Sequence, residues 1–223
     1  MLYLIAFLTA LVSYLIGSIS GSIIISKATG KGDIRESGSK NAGTTNMLRV
    51  HGKKLAIFTL LIDVIKGVLA VLLGVFVDYI ITKQYGMLSV VRPDDWLMGS
   101  MKYIAAIFVV LGHDYPIYFG FRGGKGVATS IGVALMLDWK IGLVILIASL
   151  IIMLTTRYVS LGSVIGAIVY PCIVAAFMLG KGNFDLVYLV CALVLALLII
   201  AKHKQNIIRL KNGTENKLSF AKK

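Results

Sequence analysis

The sequence feature that most constrains this chain is a series of long apolar runs separated by short charged segments. The clearest runs are Leu2–Ile25, Leu55–Val77, Tyr103–Phe121, Leu161–Leu179 and Phe184–Ala201. A helix needs about 20 apolar residues to cross the hydrocarbon core of a bilayer, and backbone polar groups inside that core have to bond within the protein. The runs therefore predict an all-α, multi-pass transmembrane bundle in the cell membrane.

Composition argues against a soluble domain. Of the 223 residues, 58% are hydrophobic and only 15% are charged, whereas soluble domains are about a quarter charged. The formal net charge is +13, and almost none of it lies inside the apolar runs. We expect the basic residues to set the orientation of the chain and to meet anionic lipids or substrates.

The two cysteines and the N-terminal run exclude other classes. Cys172 and Cys191 lie inside apolar runs and form no CxxC pair, so neither a disulfide nor a zinc site is expected. The first run follows Met1 without a basic segment before it or a small-residue cleavage pattern after it. We interpret this run as the first span and not as a removable signal peptide.

The stretch Val127–Thr155 has two interpretations, because the charged segment 138–140 interrupts it. It is either one long helix or two short helices, 127–137 and 141–155, joined by a hairpin. The distribution of basic residues decides between them, since cytoplasmic loops carry an excess of lysine and arginine.

Three segments of the chain are basic. Residues 26–54 hold seven lysines and arginines against two acids, residues 202–223 hold seven against one, and the turn 122–126 holds two. Residues 78–100 hold two basic residues against three acids. Placing the basic segments in the cytoplasm requires an even number of crossings between 126 and 202, hence two short helices in the middle. The prediction is a single domain, 1–223, with seven spans, the N-terminus outside and the C-terminus cytoplasmic.

The first basic segment contains the sequence GKGDIRESGSKNAGTTNMLRVHGKK. Its glycines let backbone N–H groups approach an anion closely, its hydroxyl and amide side chains add donors, and its arginine offers a planar fork suited to phosphate. A flexible segment that only sets orientation is the alternative. The candidate phosphate-holding residues are Gly38, Ser39, Asn41, Gly43, Thr45, Asn46 and Arg49.

The second loop contains the sequence GHDYPIYFGFRGGKGVATS. A glycine turn that leads into a helix from about Val127 presents free N–H groups and the positive end of a helix dipole, which favour an anion. The pattern is not a nucleotide P-loop, because Phe119 stands where its first glycine would be and Gly126 stands where serine or threonine would be. The candidate residues here are His113, Arg122, Gly123, Gly124, Lys125, Gly126 and Thr129.

Two shorter motifs follow. The sequence RYVSLGS places Ser160 and Ser163 at the start of a span, where a charged cap with small packing residues is the alternative. In the tail KHKQNIIRLKNGTENK, His203, Asn206 and Arg209 recur every three residues and so share one helical face. A basic, lipid-facing tail is the alternative for this segment.

Two motifs that are absent from the sequence exclude two classes of lipid-modifying enzyme. None of the three histidines has an acid five residues later, so the His-plus-Asp box of soluble-type glycerolipid acyltransferases is absent. The aspartate cluster of a metal-dependent phosphatidyl transferase is also absent, and no metal or other cofactor is expected. Asp63 and Lys66, three residues apart in the second run, are interpreted as a self-neutralising pair that faces the bundle.

Four motifs, in order, cover nearly the whole chain: GSKNAGTTNMLRVHGKK, GH with GFRGGKGVATS, RYVSLGS and HKQNIIRLKNGTE. In these motifs the chain resembles the acyl-phosphate-dependent glycerol-3-phosphate acyltransferases of the PlsY type. The resemblance implies an integral membrane enzyme that moves a fatty acyl group from acyl phosphate to the sn-1 hydroxyl of glycerol 3-phosphate. The products would be lysophosphatidate and phosphate, in the first step of phospholipid synthesis. The implied partners are these substrates, the bilayer and the soluble enzyme that produces acyl phosphate, with no nucleic acid.

The resemblance also implies roles for individual residues. Ser39 and Arg49 would be the essential pair of the first loop, and the turn 123–126 with its Lys125 would bind phosphate. His203 and Asn206 would complete the catalytic set, and Glu215 would maintain the structure. The chain departs from the family pattern at three positions, with Lys40 for the usual glycine, Thr44 for alanine and Gln205 for glutamate.

The implied chemistry fits these residue types. An acyl phosphate is already activated, so no serine acyl-enzyme is required, and the site has to position substrates and stabilise charge on the carbonyl and the leaving phosphate. The hydroxyl proton can pass to a phosphate oxygen of the donor, which the resemblance favours, or to His203 as a general base. A transporter or channel for phosphate-bearing anions is the alternative function, since half-length helices with glycine-rich entries suit it.

Overall fold

The computed structural model describes residues 1–86, 97–182 and 184–218 of the chain. Over these residues the fold is all-α, without a β-strand. Single 3-10 turns lie at Ile34–Glu36 and Ile117–Phe119. The α-helices of the described part, numbered in chain order, are α1 Leu2–Gly17, α2 Gly21–Ala28, α3 Thr44–His51, α4 Lys53–Gly86, α5 Met101–Asp114, α6 Val127–Leu137, α7 Trp139–Thr156, α8 Val159–Lys181, α9 Leu186–Lys202 and α10 Lys204–Lys211.

Several of these helices are long and apolar enough to cross a membrane. Four candidates among the described residues are Leu2–Ala28, Lys53–Gln84, Trp139–Thr156 and Val159–Gly180. A fifth arises if α9 and α10, which meet at a bend of 62°, count as one broken span. The predicted all-helical, multi-pass class is therefore confirmed. By length and composition alone, the described residues hold four helices that could cross a membrane, or five if the bent pair is one span.

The predicted break in the stretch Val127–Thr155 is confirmed. Helix α6 ends at Leu137 and α7 begins at Trp139. The carboxylate of Asp138 accepts hydrogen bonds from the backbone N–H groups of Lys140 and Ile141, at 3.0 and 3.3 Å. An aspartate in this position satisfies N–H groups that lack partners in the first helical turn, so the charged segment starts a new helix.

The predicted helix Tyr103–Phe121 is wrong at its C-terminal end. Helix α5 stops at Asp114, and Tyr115 leaves the helical conformation at φ −134° and ψ 64°. The cause is Pro116, which has no N–H and disfavours helical geometry in the residue before it. Residues 115–126 are consequently free to form the loop that carries the glycine turn.

The predicted first helix, Leu2–Ile25, contains a break. The chain leaves α1 at Ser18 and begins α2 after Ser20, which is extended at φ −96° and ψ 104°. Backbone carbonyls at such a break need donors in an apolar environment. The buried ammonium of Lys66 supplies them, at 2.8 Å from the carbonyl oxygens of both Gly17 and Ile19.

The chain divides into two compact units, Met1–Leu137 and Asp138–Lys223, which we describe separately. In the first unit α4 packs against α1, α5 and α6. Glycines permit close approach of the helices, since a Cβ on Gly17 would overlap the backbone of Val109. In the second unit α7 packs on α8 and α8 on α9, while α10 contacts α8 and α9. The single-domain prediction stays a prediction.

The first unit has an apolar cluster at each end. At one end Ile34, Met47 and Ala56 are buried with Phe119 packed against them, beneath the first loop. At the other end Ile81 and Met101 pack with Leu2 and Ile5 near the chain's start. Asp78 lies at this second end, where its carboxylate accepts from the N–H groups of Met101 and Lys102 at 3.1 and 3.2 Å. Of the predicted outer loop 78–100, residues 87–96 lie outside the described residues.

Candidate functional site

The first loop is organised around the side chain of Asn46. This residue is buried in α3, where its amide donates to the carbonyl oxygens of Ile34 and Ser37 at 3.1 and 3.0 Å. Its Oδ1 accepts from the backbone N–H of Ser39 at 2.9 Å. A buried amide with its groups paired rigidifies the backbone around it. Asn46, predicted to hold phosphate, thus fixes the loop segment that carries Ser39.

Two residues beside Ser39 have left-handed backbone geometry. Gly38 has φ 59°, and a Cβ there would overlap Asn46 Oδ1, so glycine is required for space as well as for conformation. Lys40 has φ 58°, a region that costs non-glycine residues about 1–2 kcal/mol. This geometry gives a physical reason for the glycine that the family resemblance leads us to expect at position 40.

The other candidate residues of the first loop surround the start of α3. Ser39 and Arg49 are exposed, while Asn41, Gly43 and Thr45 are half-buried. Gly43 precedes the first turn of α3 in an extended conformation, and its N–H bonds to the carbonyl of Asn41 at 3.0 Å. Ser39, Arg49 and the N–H groups of the α3 start therefore belong to one short, basic segment.

The glycine turn 123–126 is built on His113. The N–H of Gly124 donates to the His113 carbonyl at 3.1 Å. A Cβ on Gly123 would overlap that carbonyl, and a Cβ on Gly124 would overlap His113 Nε2 and lie 2.8 Å from the Ala42 carbonyl. Gly126 has φ 73°. Each of these glycines is thus required by a close approach or by its conformation, and Lys125 is held half-buried among them.

Helix α6 begins directly after this turn, as predicted. Val127 is its first residue. Thr129 is fully buried in its first turn, and its hydroxyl has no hydrogen-bond partner among the described residues. The positive end of the α6 dipole therefore lies next to Gly126 and Lys125, the arrangement that favours an anion.

Arg35 joins the first loop to the second, and our sequence analysis did not single it out. Its Nη1 donates to the carbonyl oxygens of Phe119 and Arg122, at 2.7 and 3.0 Å. Its Nη2 pairs with Asp33 Oδ2 at 2.7 Å. The hydrogen bond from Arg35 lowers the pKa of Asp33 to about 2. The predicted site residue Arg122 is exposed and enters this contact through its backbone.

The predicted pairing of Asp63 and Lys66 is confirmed. Lys66 Nζ lies 3.1 Å from Asp63 Oδ1, and both side chains are almost completely buried. The pair extends to a third residue, because Lys66 Nζ also lies 2.9 Å from His113 Nδ1. The first unit therefore connects a buried ion pair directly to the residue that supports the glycine turn.

In the second unit, Glu215 is the centre of a hydrogen-bond network. Its Oε1 accepts from the hydroxyl of Ser160 at 2.8 Å and from the amide of Asn206 at 2.7 Å. Its Oε2 accepts from Arg209 Nε at 2.7 Å. These bonds lower the pKa of Glu215 against the opposing effect of burial. The network connects α8, α10 and the segment after α10, in keeping with the structural role predicted for Glu215.

The remaining candidates of the second unit lie close to this network in the sequence. His203 is buried at the bend between α9 and α10, and its Nδ1 lies 2.8 Å from the Ile199 carbonyl oxygen. Because a carbonyl can only accept, Nδ1 carries a proton, so Nε2 is the basic nitrogen of the neutral ring. Ser163 is buried, and its hydroxyl donates to the Val159 carbonyl of its own helix at 2.9 Å.

Comparison with known proteins gives consistent matches over almost the full chain. A family model described as glycerol-3-phosphate acyltransferase matches residues 7–213. A glycerol-3-phosphate acyltransferase of Shouchella clausii is 45% identical over 210 residues, which cover 94% of each chain. One of Thermoanaerobacter pseudethanolicus is 42% identical over 214 residues, which cover 96% of each chain.

Two solved structures share the fold. Both are crystal structures of PlsY (YgiH), an integral membrane glycerol 3-phosphate acyltransferase, and both are 34% identical to this chain. The glycerol 3-phosphate form has a TM-score of 0.78 and covers 96% of each chain. The lysophosphatidic acid form has a TM-score of 0.75 and covers 96% of this chain and 95% of that one.

Proposed function

This chain belongs to the glycerol-3-phosphate acyltransferase family, and on that basis we propose that it transfers a fatty acyl group from acyl phosphate to the sn-1 hydroxyl of glycerol 3-phosphate. The products are lysophosphatidate and inorganic phosphate. The related PlsY structures are a glycerol 3-phosphate form and a lysophosphatidic acid form, which correspond to the acceptor and the product of this reaction.

The observation that carries the proposal is the junction of two basic loops in the first unit. Arg35 bonds the first loop to the carbonyls of Phe119 and Arg122, and Gly124 lies against both His113 and Ala42. The segment of Ser39 and Arg49 and the turn of Lys125 are thereby parts of one structure. Hydroxyl, guanidinium, ammonium and helix N-terminal N–H groups are the donors that phosphate groups require.

The proposed reaction is direct acyl transfer. The sn-1 oxygen attacks the acyl carbonyl carbon, the bond from that carbon to the phosphate oxygen breaks, and phosphate leaves with the electron pair. We assign the proton of the hydroxyl to a phosphate oxygen of the donor. Ser39, Arg49 and Lys125 hold phosphate and stabilise the charge that develops as it leaves.

We also propose His203 and Asn206, both in the second unit, as catalytic residues. In neutral His203 the basic lone pair is on Nε2, since Nδ1 donates to Ile199, which makes Nε2 the protein's own alternative acceptor for the hydroxyl proton. Asn206 keeps its orientation through its bond to Glu215.

We also propose seven spans in the cytoplasmic membrane, with the N-terminus outside and the tail inside. In this arrangement α5 and α6, with 14 and 11 residues, are shorter than the hydrocarbon core is thick, so we expect the bilayer to be locally thinner around them. Support comes from the first unit, where Leu2 packs near Met101 at the end opposite Ile34 and Phe119. Single cysteines at Lys83 and Lys211, after removal of Cys172 and Cys191, test this in intact cells. Labelling of the Lys211 position by an impermeant reagent would make seven spans wrong.

The decisive test of function compares donors. Purified protein in lipid receives radiolabelled glycerol 3-phosphate with either acyl phosphate or acyl-CoA, in EDTA and without magnesium. We expect labelled lysophosphatidate from acyl phosphate only. Product from acyl-CoA alone, or activity that magnesium has to restore, would contradict the proposal.

We further propose the soluble enzyme that makes acyl phosphate as a partner, since its product partitions into the same membrane surface.

A further inference from the structure

Lys66 is a buried ammonium with an unusually complete set of acceptors. Only 4% of its side chain is exposed, and its Nζ lies 2.8 Å from the carbonyl oxygens of Gly17 and Ile19. It also lies 2.9 Å from His113 Nδ1 and 3.1 Å from Asp63 Oδ1. A buried ammonium is stable only when its donors are paired and its charge is balanced. Lys66 has both, and it joins α4 to the α1–α2 break and to the end of α5.

The contact with Lys66 determines the tautomer of His113. An ammonium can only donate, so at 2.9 Å the Nδ1 atom of His113 has to accept. Asp63 Oδ1 is 3.5 Å from the same nitrogen, longer than the roughly 2.7–3.2 Å of a protein hydrogen bond, so it does not compete for a proton there. Neutral His113 therefore carries its proton on Nε2.

The side of His113 that bears this proton faces the glycine turn. A Cβ on Gly124 would overlap Nε2, and the backbone carbonyl of His113 accepts from the N–H of Gly124. The backbone of His113 thus contacts both glycines that precede Lys125, Gly123 and Gly124, and its ring contacts Gly124. A change in the tautomer or in the ring's orientation would change the surface on which the turn rests.

We propose that Lys66 is a positioning residue, whose ammonium, anchored on the α1–α2 break, locks His113 as the Nε2–H tautomer and so fixes the phosphate-binding turn 123–126. This inference rests on the function proposed above for that turn. Lys66 then acts on catalysis through His113 without touching substrate. Asp63 balances the charge, and its role is distinct from that of Lys66.

A double variant separates positioning from charge balance. Lys66→Met alone leaves the Asp63 carboxylate buried and unpaired, and it can fail to fold for that reason. Asp63→Asn with Lys66→Met removes both charges together. We expect this double variant to insert and purify normally but to lose about tenfold or more in kcat/KM for glycerol 3-phosphate, the size of one lost charge-assisted hydrogen bond. The control is Lys102→Met, at the other end of the unit, which should leave kcat/KM unchanged.

A spectroscopic readout tests the tautomer without relying on activity. Protein labelled with ¹⁵N in its histidine rings gives signals from the two ring nitrogens of three histidines, and His51→Gln and His203→Gln identify the pair that belongs to His113. We expect a protonated Nε2 and an unprotonated Nδ1 of His113 in the wild type. In the double variant we expect a mixture of the two tautomers, or the tautomer with its proton on Nδ1.

Two results would overturn the inference. One is a wild-type His113 with its proton on Nδ1. The other is a double variant with wild-type kcat/KM and an unchanged ¹⁵N signal, which would reduce Lys66 to the counter-ion of Asp63. Absence of acyl transfer in the wild-type protein would instead refute the proposed function, while the ¹⁵N signals would still decide the tautomer.

Discussion

The buried amide of Asn46 holds the backbone of Ser39, through a hydrogen bond of 2.9 Å between Ser39 N and Asn46 Oδ1. The two residues are seven positions apart, one exposed in the loop and the other buried in α3. The same amide donates to Ile34 and Ser37. The backbone position of Ser39 is therefore determined by a residue that lies beneath the loop and not by the loop alone.

Replacing Asn46 should disable the site while leaving the bundle intact. Asn46→Ala removes three hydrogen bonds, to Ile34, Ser37 and Ser39, and Asn46→Asp places a carboxylate against the carbonyls of Ile34 and Ser37. We expect both variants to lose at least tenfold in acyl transfer and to show faster proteolysis within the first loop. Asn41→Ala, at a half-buried amide of the same loop, should leave the proteolysis pattern unchanged. An Asn46→Asp variant with wild-type turnover would contradict the role of this amide.

Gly38 and Gly30 have the same backbone geometry but differ in the room available for a Cβ, so substitutions there can be compared directly. Both have left-handed geometry, with φ 59° and 70°, but a Cβ would overlap Asn46 Oδ1 only at Gly38, and nothing lies within 4 Å at Gly30. Gly30→Ala should therefore cost only the backbone strain of about 1–2 kcal/mol. Gly38→Ala should cost more in thermal stability and should also reduce acyl transfer. Equal effects of the two substitutions on activity would mean that the contact with Asn46 is unimportant.

Arg35 should prove necessary for acyl transfer although it was not a predicted site residue. Arg35→Gln removes the donors to Phe119 and Arg122, and Arg35→Lys cannot reproduce the planar fork, so both should reduce activity. Lys27→Gln is the control, because the Lys27 ammonium lies 3.6 Å from the same carboxylate, Asp33, and its side chain is 55% exposed. The comparison is made in the acyl transfer assay with equal amounts of purified protein. Wild-type activity in Arg35→Gln would contradict the conclusion that Arg35 holds the two loops together as one site.

The Arg35–Asp33 contact should be insensitive to pH in the working range. The pKa of Asp33 is lowered to about 2, below its unfolded value of about 3.9. Its contribution to stability is then fully present above the unfolded value and is lost only as the pH falls toward 2.

Glu215 should make the second unit sensitive to acid. Its pKa is lowered in the folded protein, so its stabilisation is present above the unfolded value of about 4.3 and is lost as the pH falls through the lower folded value. Glu215→Gln weakens the bonds from Arg209 and Asn206. We expect a lower melting temperature at pH 7 and a smaller loss of stability between pH 5 and pH 3 than in the wild type, measured by thermal unfolding. Lys204→Gln, exposed on α10, should match the wild type, and an unaltered melting temperature in Glu215→Gln would contradict the network.

The sequence allowed prediction of features that depend on local patterns. The break before α7 follows from the charge of Asp138 in an apolar run, and the helix after the glycine turn follows from the motif itself. Apolar residues continue to Phe121, so the hydropathy pattern extends α5 beyond its end, whereas Pro116 stops the helix at Asp114. The contact from Arg35 to Phe119 spans 84 positions, so no local pattern could predict it. The same holds for the contact of Lys66 with His113.

The most direct test of the central claim is acyl transfer by purified Ser39→Ala, Arg49→Ala and Lys125→Met variants at equal membrane yield. If these residues hold phosphate, each variant should lose about ten- to a hundredfold in rate, the equivalent of about 1.5–3 kcal/mol for one charge-assisted hydrogen bond. Arg49→Lys should recover little, and Lys83→Met, exposed near the end of α4, should match the wild type. Near-wild-type turnover in Ser39→Ala and Lys125→Met would contradict the assignment of this site.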